Sequence, residues 1–424
     1  MRKIVYFVCF ISLLLKNDCE SAEILAVFPA PSYSHQSVFQ AVTAGLVAKG
    51  HKITLMTTYP HENERNHENI TLVDWSFVVE DFHKVIDSVM SSEKGLKNSI
   101  FRVIDMQSSM VDNQLSVPEV HKMLQNKNQK FDLLLIEAAG FASMHAFADH
   151  YNVPVVGITS ADSMSAGHEI MGNVFNPVAH PDRVLPMLRT HRFIERISSV
   201  FFTLFFKYIL EPKAVGNYEQ VTQKHFPNVE KTYKELVGNV ELLLVNAHPS
   251  LGYLRPVVAN TIQLGFLHIK PPKELPKDLL KRLNDSKNGV IYMSLGTLVK
   301  SSFLKKNIEI FVDVFRDLDY DIIWKFEDEQ IENKPKNVYT NKWFPQSDLL
   351  AHPKVKLFIT QGGQQSLEES IDRNVPVLVC PVHGDQQSNG ARAVMKNIGQ
   401  VVDLRKIDKE SLKKAIIEVI SNQR

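Results

Sequence analysis

Apolar residues along this chain gather in short, nearly continuous runs separated by longer amphipathic stretches. EILAVFP (residues 23–29), HKITLMTT (51–58), FDLLLIE (131–137), VPVVGIT (153–159) and VELLLVN (240–246) lack the strict alternation of a strand with one wet face. They read instead as strands covered on both sides. A helix is expected from about Ser37 to Lys49, ended by Gly50, and another near residues 142–150. The second half repeats the grammar. GVIYMSLG (289–296), DIIWKF (321–326), KLFIT (356–360) and VPVLVC (375–380) are expected strands between helical segments, and a helix is expected at residues 409–421. Strands alternating with helices predict parallel sheets with helices on both faces. The fold class is therefore α/β, with two doubly wound, Rossmann-like domains and a ligand cleft at the carboxyl ends of their strands. Residues 265–288, rich in proline and lysine, read as the connection. The expected bounds are 22–265 for the first domain, 266–288 for the linker and 289–424 for the second domain.

Composition narrows the function classes. Lys+Arg number 48 against 47 Asp+Glu in 424 residues, with no basic cluster interleaved with aromatics, which argues against nucleic acid as a partner. Arg2 and Lys3 precede the apolar IVYFVCFISLLL (4–15), too short to span a bilayer, so residues 1–21 read as a secretory leader cleaved after Ser21. That places the mature chain in the secretory pathway. Of three cysteines, only Cys380 lies beyond the leader, so no internal disulfide is available and Cys380 is expected to be a buried apolar residue. Asn69 and Asn284 open glycosylation sequons. The aromatic stripe at residues 193–210 carries Glu195, Arg196 and Lys207. It is expected to pack in the core, a lipid- or substrate-facing surface being the lesser alternative.

Candidate chemistry collects at strand ends. Neither G-x-G-x-x-G nor a P-loop is present. In FITQGGQQSLEES (358–370), however, a strand meets Gly362 and Gly363 and a helix begins. Bare backbone there allows close approach of a ligand, and the helix start favours an anion. By itself this is also an ordinary glycine turn. Upstream, Trp343 and Gln346 together suit a flat heterocycle with a hydrogen-bonding edge. Downstream, Asp385 and Gln386 suit polyhydroxyl recognition. In the first half, His35 falls just before or within the first turn of a helix, where the dipole favours a neutral, proton-accepting imidazole. No H-E-x-x-H or CxxC spacing occurs, and no metal is expected.

The ordered set WFPQSDLLAHPKVKLFITQGGQQSLEESIDRNVPVLVCPVHGDQ (343–386) resembles the signature of the UDP-glycosyltransferase family, which includes the UDP-glucuronosyltransferases. The resemblance extends over essentially the whole mature chain and is strongest to insect-type members and the ecdysteroid glucosyltransferases of insect viruses. It implies a GT-B type fold and inverting transfer of a hexose, with glucose expected, from a UDP-sugar to a hydroxyl of a small lipophilic acceptor. It implies no covalent intermediate and no metal. Residue by residue, it implies that Trp343 stacks on uracil and Gln346 bonds its edge. Gly362, Gly363 and Ser366 would hold the diphosphate, and Glu369 the ribose hydroxyls. Asp385 and Gln386 would hold the sugar, and Ser294, Gly296 and Thr297 would approach the phosphates. Glu368 is then expected to be a solvated neighbour of Glu369. Gln361 stands where the family commonly has histidine; an amide can donate to a phosphate but carries no charge. His35 would be the general base, oriented by a carboxyl. Glu137 holds the matching position, and Asp132 is the competing candidate. Relatives continue beyond the last residues with a helix crossing to the first domain, a membrane anchor and a basic tail. Their absence from this sequence leaves an alternative open: a non-catalytic UDP-sugar binder that forms homo- or hetero-oligomers with relatives and modulates them.

Overall fold

The computed structural model describes residues 21–90, 96–185, 192–252, 255–297, 304, 307–327 and 331–422. The leader expected at residues 1–21 therefore lies almost wholly outside the described residues. Two parallel sheets form the framework. The first has the order β3-β2-β1-β4-β5-β6-β7, with β1 Glu23–Phe28, β2 Lys52–Thr57, β3 Ile70–Asp74, β4 Leu133–Glu137, β5 Val155–Thr159, β6 Val240–Val245 and β7 Thr261–Gln263. The second has the order β10-β9-β8-β11-β12-β13, with β8 Val290–Ser294, β9 Asp321–Lys325, β10 Val338–Asn341, β11 Val355–Thr360, β12 Val377–Val379 and β13 Gly399–Val401.

Each sheet is buried on both faces, which is why its strands read as continuous apolar runs. Along β1, Leu25 and Val27 enter one core while Ile24, Ala26 and Phe28 enter the other. Along β8, Ile291 and Met293 face one core and Val290 and Tyr292 the opposite one. This two-residue period sorts side chains to the two helical layers. Cys380 is fully buried in the second unit. Strands β3, β7, β10 and β13 escaped the sequence pattern. They are three to five residues long and lie at or next to sheet edges, where burial is incomplete and the apolar run is broken.

In both sheets the strand order reverses beside the first strand, between β1 and β4 and between β8 and β11. Helices leave in opposite directions from such a switch point and open a crevice at the carboxyl ends of the strands.

Two segments depart from expectation. The aromatic stripe forms the Phe193–Phe205 helix and the wider-turned Phe206–Leu210 segment, and it faces outward. Phe193, Phe201 and Tyr208 are 77%, 67% and 68% exposed, while Ser199 and Leu210 turn inward. An apolar helical stripe does not state which of its sides meets the sheet, and here the small Ser199 is on the packed side. The stretch expected as linker is helical over Lys277–Asp285, and Leu279 and Leu283 are buried against Val290 and Tyr292. Among the described residues, no helix is long and apolar enough to cross a membrane.

Candidate active site

Strand β1 ends at Phe28, and the Tyr33–Ala48 helix begins four residues before the start expected from sequence. His35 therefore lies in its first turn. Its Nδ1 is 2.7 Å from Glu137 Oε1, the last residue of the neighbouring strand β4. Glu137 is fully buried, and its Oε2 accepts the Ala30 N–H at 3.1 Å. Both carboxylate oxygens are thus engaged from the β1–helix connection. The imidazole remains 30% exposed toward the cleft. Asp132, the competing carboxyl, sits before the start of β4 and accepts the Glu23 N–H at 2.8 Å, far from the switch point.

The facing wall comes from the second sheet. Strand β11 runs into Gln361–Gly362–Gly363, and the Gln364–Asp372 helix follows. Two glycines are required here. Gly362 has φ +88, and a Cβ would lie 2.5 Å from Val379. Gly296, just beyond β8, has φ +81, and a Cβ would meet the Gln361 amide. Gln361 consequently lies across Gly296. Its Oε1 accepts from Thr360 Oγ1 at 3.1 Å, which leaves Nε2 as the end that can donate into the cleft. Ser294 Oγ accepts the Gly296 N–H at 3.3 Å. Lys325, at the end of β9, donates to the Gly296 carbonyl at 2.9 Å and pairs with Glu327; it puts a cation beside this loop.

Gln346 begins a short helix, and its Nε2 donates to Glu369 Oε2 at 2.7 Å and to Ser366 Oγ at 3.0 Å. Burial pushes the Glu369 carboxyl up to about 7, partly offset by the Gln346 bond and reinforced by Asp348. Trp343 is half exposed, and Tyr33 of the opposite wall stands edge-on to its ring at 5.5 Å. Asp385 directly precedes the Gln386–Met395 helix, and its carboxylate accepts from Asn389 Nδ2 at 3.0 Å. Gln386 Oε1 accepts the Val382 and His383 N–H groups, so only its nitrogen is left to meet a ligand.

The two walls face each other across a solvent-open cleft of about 490 Å³. Every site residue expected from sequence lines it except Glu137, buried behind His35, and Gly362, buried beneath the turn. One expectation is corrected. Glu368 is not solvated but 1% exposed, because the helix turns it toward the first domain, where it meets Asn246. Sequence reasoning also missed Tyr33 and Lys325. Lys325 carried a usable signal, being a charged residue at the carboxyl end of an apolar strand. Tyr33 carried none, since its partner is on the other domain. Among the described residues, no group of three or more metal-ligating side chains occurs.

Comparison with known proteins places the chain in a family and a fold. The profile of the family described as "UDP-glucoronosyl and UDP-glucosyl transferase" matches residues 23–424. An ecdysteroid UDP-glucosyltransferase of Spodoptera littoralis nuclear polyhedrosis virus is 31% identical, covering 98% of this chain and 84% of the viral protein. UDP-glycosyltransferase UGT4 of Dactylopius coccus is 31% identical, covering 97% of this chain and 81% of that protein. Among solved structures, glycosyltransferase VinC in complex with DTDP superposes with a TM-score of 0.59 at 16% identity, covering 94% of this chain and 91% of that one. This likeness shows the fold.

Proposed function

This chain belongs to the UDP-glucoronosyl and UDP-glucosyl transferase family and is a glycosyltransferase, and from that premise we propose that it transfers glucose from UDP-glucose to a hydroxyl of a small lipophilic acceptor, with His35 as general base. The observation that carries the proposal is the His35–Glu137 pair, poised at one switch point and facing the glycine turn at the other. With Nδ1–H donated to Glu137, His35 Nε2 is the atom that can accept a proton. The acceptor oxygen attacks the anomeric carbon as its proton passes to Nε2. The bond from that carbon to the β-phosphate oxygen breaks, and the electron pair leaves with UDP. Attack opposite the leaving group inverts the configuration. The buried carboxylate stabilises the imidazolium as it forms.

In this reading Trp343 stacks on uracil beside Gln346, and Glu369 accepts the ribose hydroxyls. The N-terminus of the Gln364–Asp372 helix, Gly363, Ser366 and Thr297 receive the diphosphate, and Gly362 turns the backbone beneath them. Gln361 Nε2 donates to a phosphate oxygen without a charge of its own, and Lys325 supplies the nearby positive charge. Asp385 and the nitrogen of Gln386 meet the sugar hydroxyls. Glucose is favoured by the names of the relatives, and the viral relatives' ecdysteroid names put steroids in the acceptor panel. The leader-like residues 1–21 favour a place in the endoplasmic reticulum lumen. The test is UDP release from UDP-glucose across phenols, steroids and plant metabolites. Acceptor-dependent release that disappears in His35→Ala, while UDP still binds, is the expected result. Retained turnover in that variant removes His35 from the role.

A further inference from the structure

Behind the donor side of the cleft lies a polar knot where four chain segments meet. Glu368 is its centre. Its Oε1 accepts from Gln364 Nε2 at 2.9 Å, and its Oε2 from Asn246 Nδ2 at 3.4 Å. Asn246 directly follows β6 and is itself fully buried. Its Nδ2 also donates to the Ser160 carbonyl at 3.0 Å, and its Oδ1 accepts the Leu267 N–H at 3.2 Å. Gln365 Nε2 reaches the same Ser160 carbonyl at 2.7 Å, and Gln364 donates to the Asn246 carbonyl. His268 completes the knot from the connecting segment. Its Nε2 faces the Gln365 carbonyl at 3.2 Å. Its Nδ1 lies 3.5 Å from Glu368 Oε2 and has no hydrogen-bond partner.

We infer that Glu368 is a positioning residue for sugar transfer: its buried carboxyl pins the donor helix to the end of β6 and to the connecting segment, and so sets the separation between His35 and the nucleotide sugar. The inference rests on the transfer reading given above. The chemistry of the knot requires a carboxyl. Two side-chain amides offer N–H groups to it, and an imidazole nitrogen without a donor faces it. Burial pushes Glu368 up to about 7 and His268 down to about 4, so in slightly acid solution the neutral acid has a proton to share with Nδ1. The next residue, Glu369, turns the other way into the cleft, so the ribose carboxyl and the helix that Glu368 pins move together as one unit of the second domain. The nucleotide contacts come from the second domain, whereas His35 comes from the first. Loosening the knot therefore leaves nucleotide binding intact and spoils the approach of acceptor to donor, where a misplacement of about 1 Å costs on the order of 10²-fold in rate.

The test uses the full chain with Glu368→Ala and Glu368→Gln. The expected result for Glu368→Ala is a kcat about 10²-fold lower with a UDP Kd, from calorimetry, unchanged within about twofold. Amide exchange at Leu267 accelerates in the same variant. Glu368→Gln keeps an acceptor for Gln364 but sets an amide nitrogen against Asn246 Nδ2, so its turnover falls between those of wild type and Glu368→Ala. Should the alanine variant not fold, Glu368→Asp, one methylene short of Asn246, carries the same expectation. A UDP affinity that falls as far as kcat, or full turnover with unchanged exchange at Leu267, overturns the inference. A wild-type chain silent toward every acceptor refutes the transfer reading instead, while exchange at Leu267 still decides whether Glu368 pins the junction.

Discussion

Replacing Glu137 by glutamine changes few atoms and should be severe. Two N–H groups converge on the carboxylate: His35 Nδ1 at 2.7 Å and Ala30 N at 3.1 Å. An amide has one acceptor oxygen. If it serves Ala30, the amide nitrogen faces His35 and forces the ring proton onto Nε2, which abolishes the base. If it serves His35, the buried Ala30 N–H meets another donor, at a cost of about 1–3 kcal/mol. In either case the imidazolium formed during transfer loses its counter-charge, worth about 4 kcal/mol at 4 Å with an effective dielectric near 20. Adding part of each effect gives about 3–5.5 kcal/mol, or a kcat about 10²–10⁴-fold lower. The assay is initial-rate UDP release with saturating UDP-glucose, accompanied by calorimetric UDP binding, which should hold within about twofold because Glu137 lies on the other domain. A kcat within about threefold of wild type would refute the claim that this carboxylate orients and stabilises the base.

Three further outcomes follow from two particular residues. Glu369 holds its proton up to about 7 in the free protein, whereas ribose hydroxyls donate to the carboxylate. UDP affinity should therefore rise from about pH 6 to about pH 8, with proton release measurable in buffers of different ionisation enthalpy. The same raised value means that the folded chain keeps a proton its unfolded form has lost, so this group's contribution to stability falls as pH rises from about 4.5 to about 7. Leu283→Ala, at a fully buried position of the Lys277–Asp285 helix, should cost about 2–5 kcal/mol in urea unfolding. A change within about 0.5 kcal/mol would mean that this helix is not part of the second core.

Much of the architecture was legible because burial on two faces writes itself into local composition. The central strands β1, β2, β4, β5, β6, β8, β9, β11 and β12 stand out as apolar runs, and the turn at Gly362–Gly363 announces a strand running into a helix. The chain alone thereby determined a pair of parallel sheets and a set of polar residues just beyond strand ends, including His35 and Gln361, whereas Glu369, inside a helix, stood out only through the family resemblance. It could not determine which way a side chain turns once a helix is packed. Glu368 and Glu369 are adjacent carboxylates with similar local context, yet one is sealed against Asn246 and the other opens on the cleft, since successive helical positions point about 100° apart. The same ambiguity hid the outward face of the Phe193–Phe205 helix and the inward face of the Lys277–Asp285 helix. Pairings between the domains, such as Tyr33 with Trp343 and Asn246 with Glu368, join residues far apart in sequence that only the docking of two domains brings together. Local pattern records how much of a segment is buried, and tertiary packing decides against what.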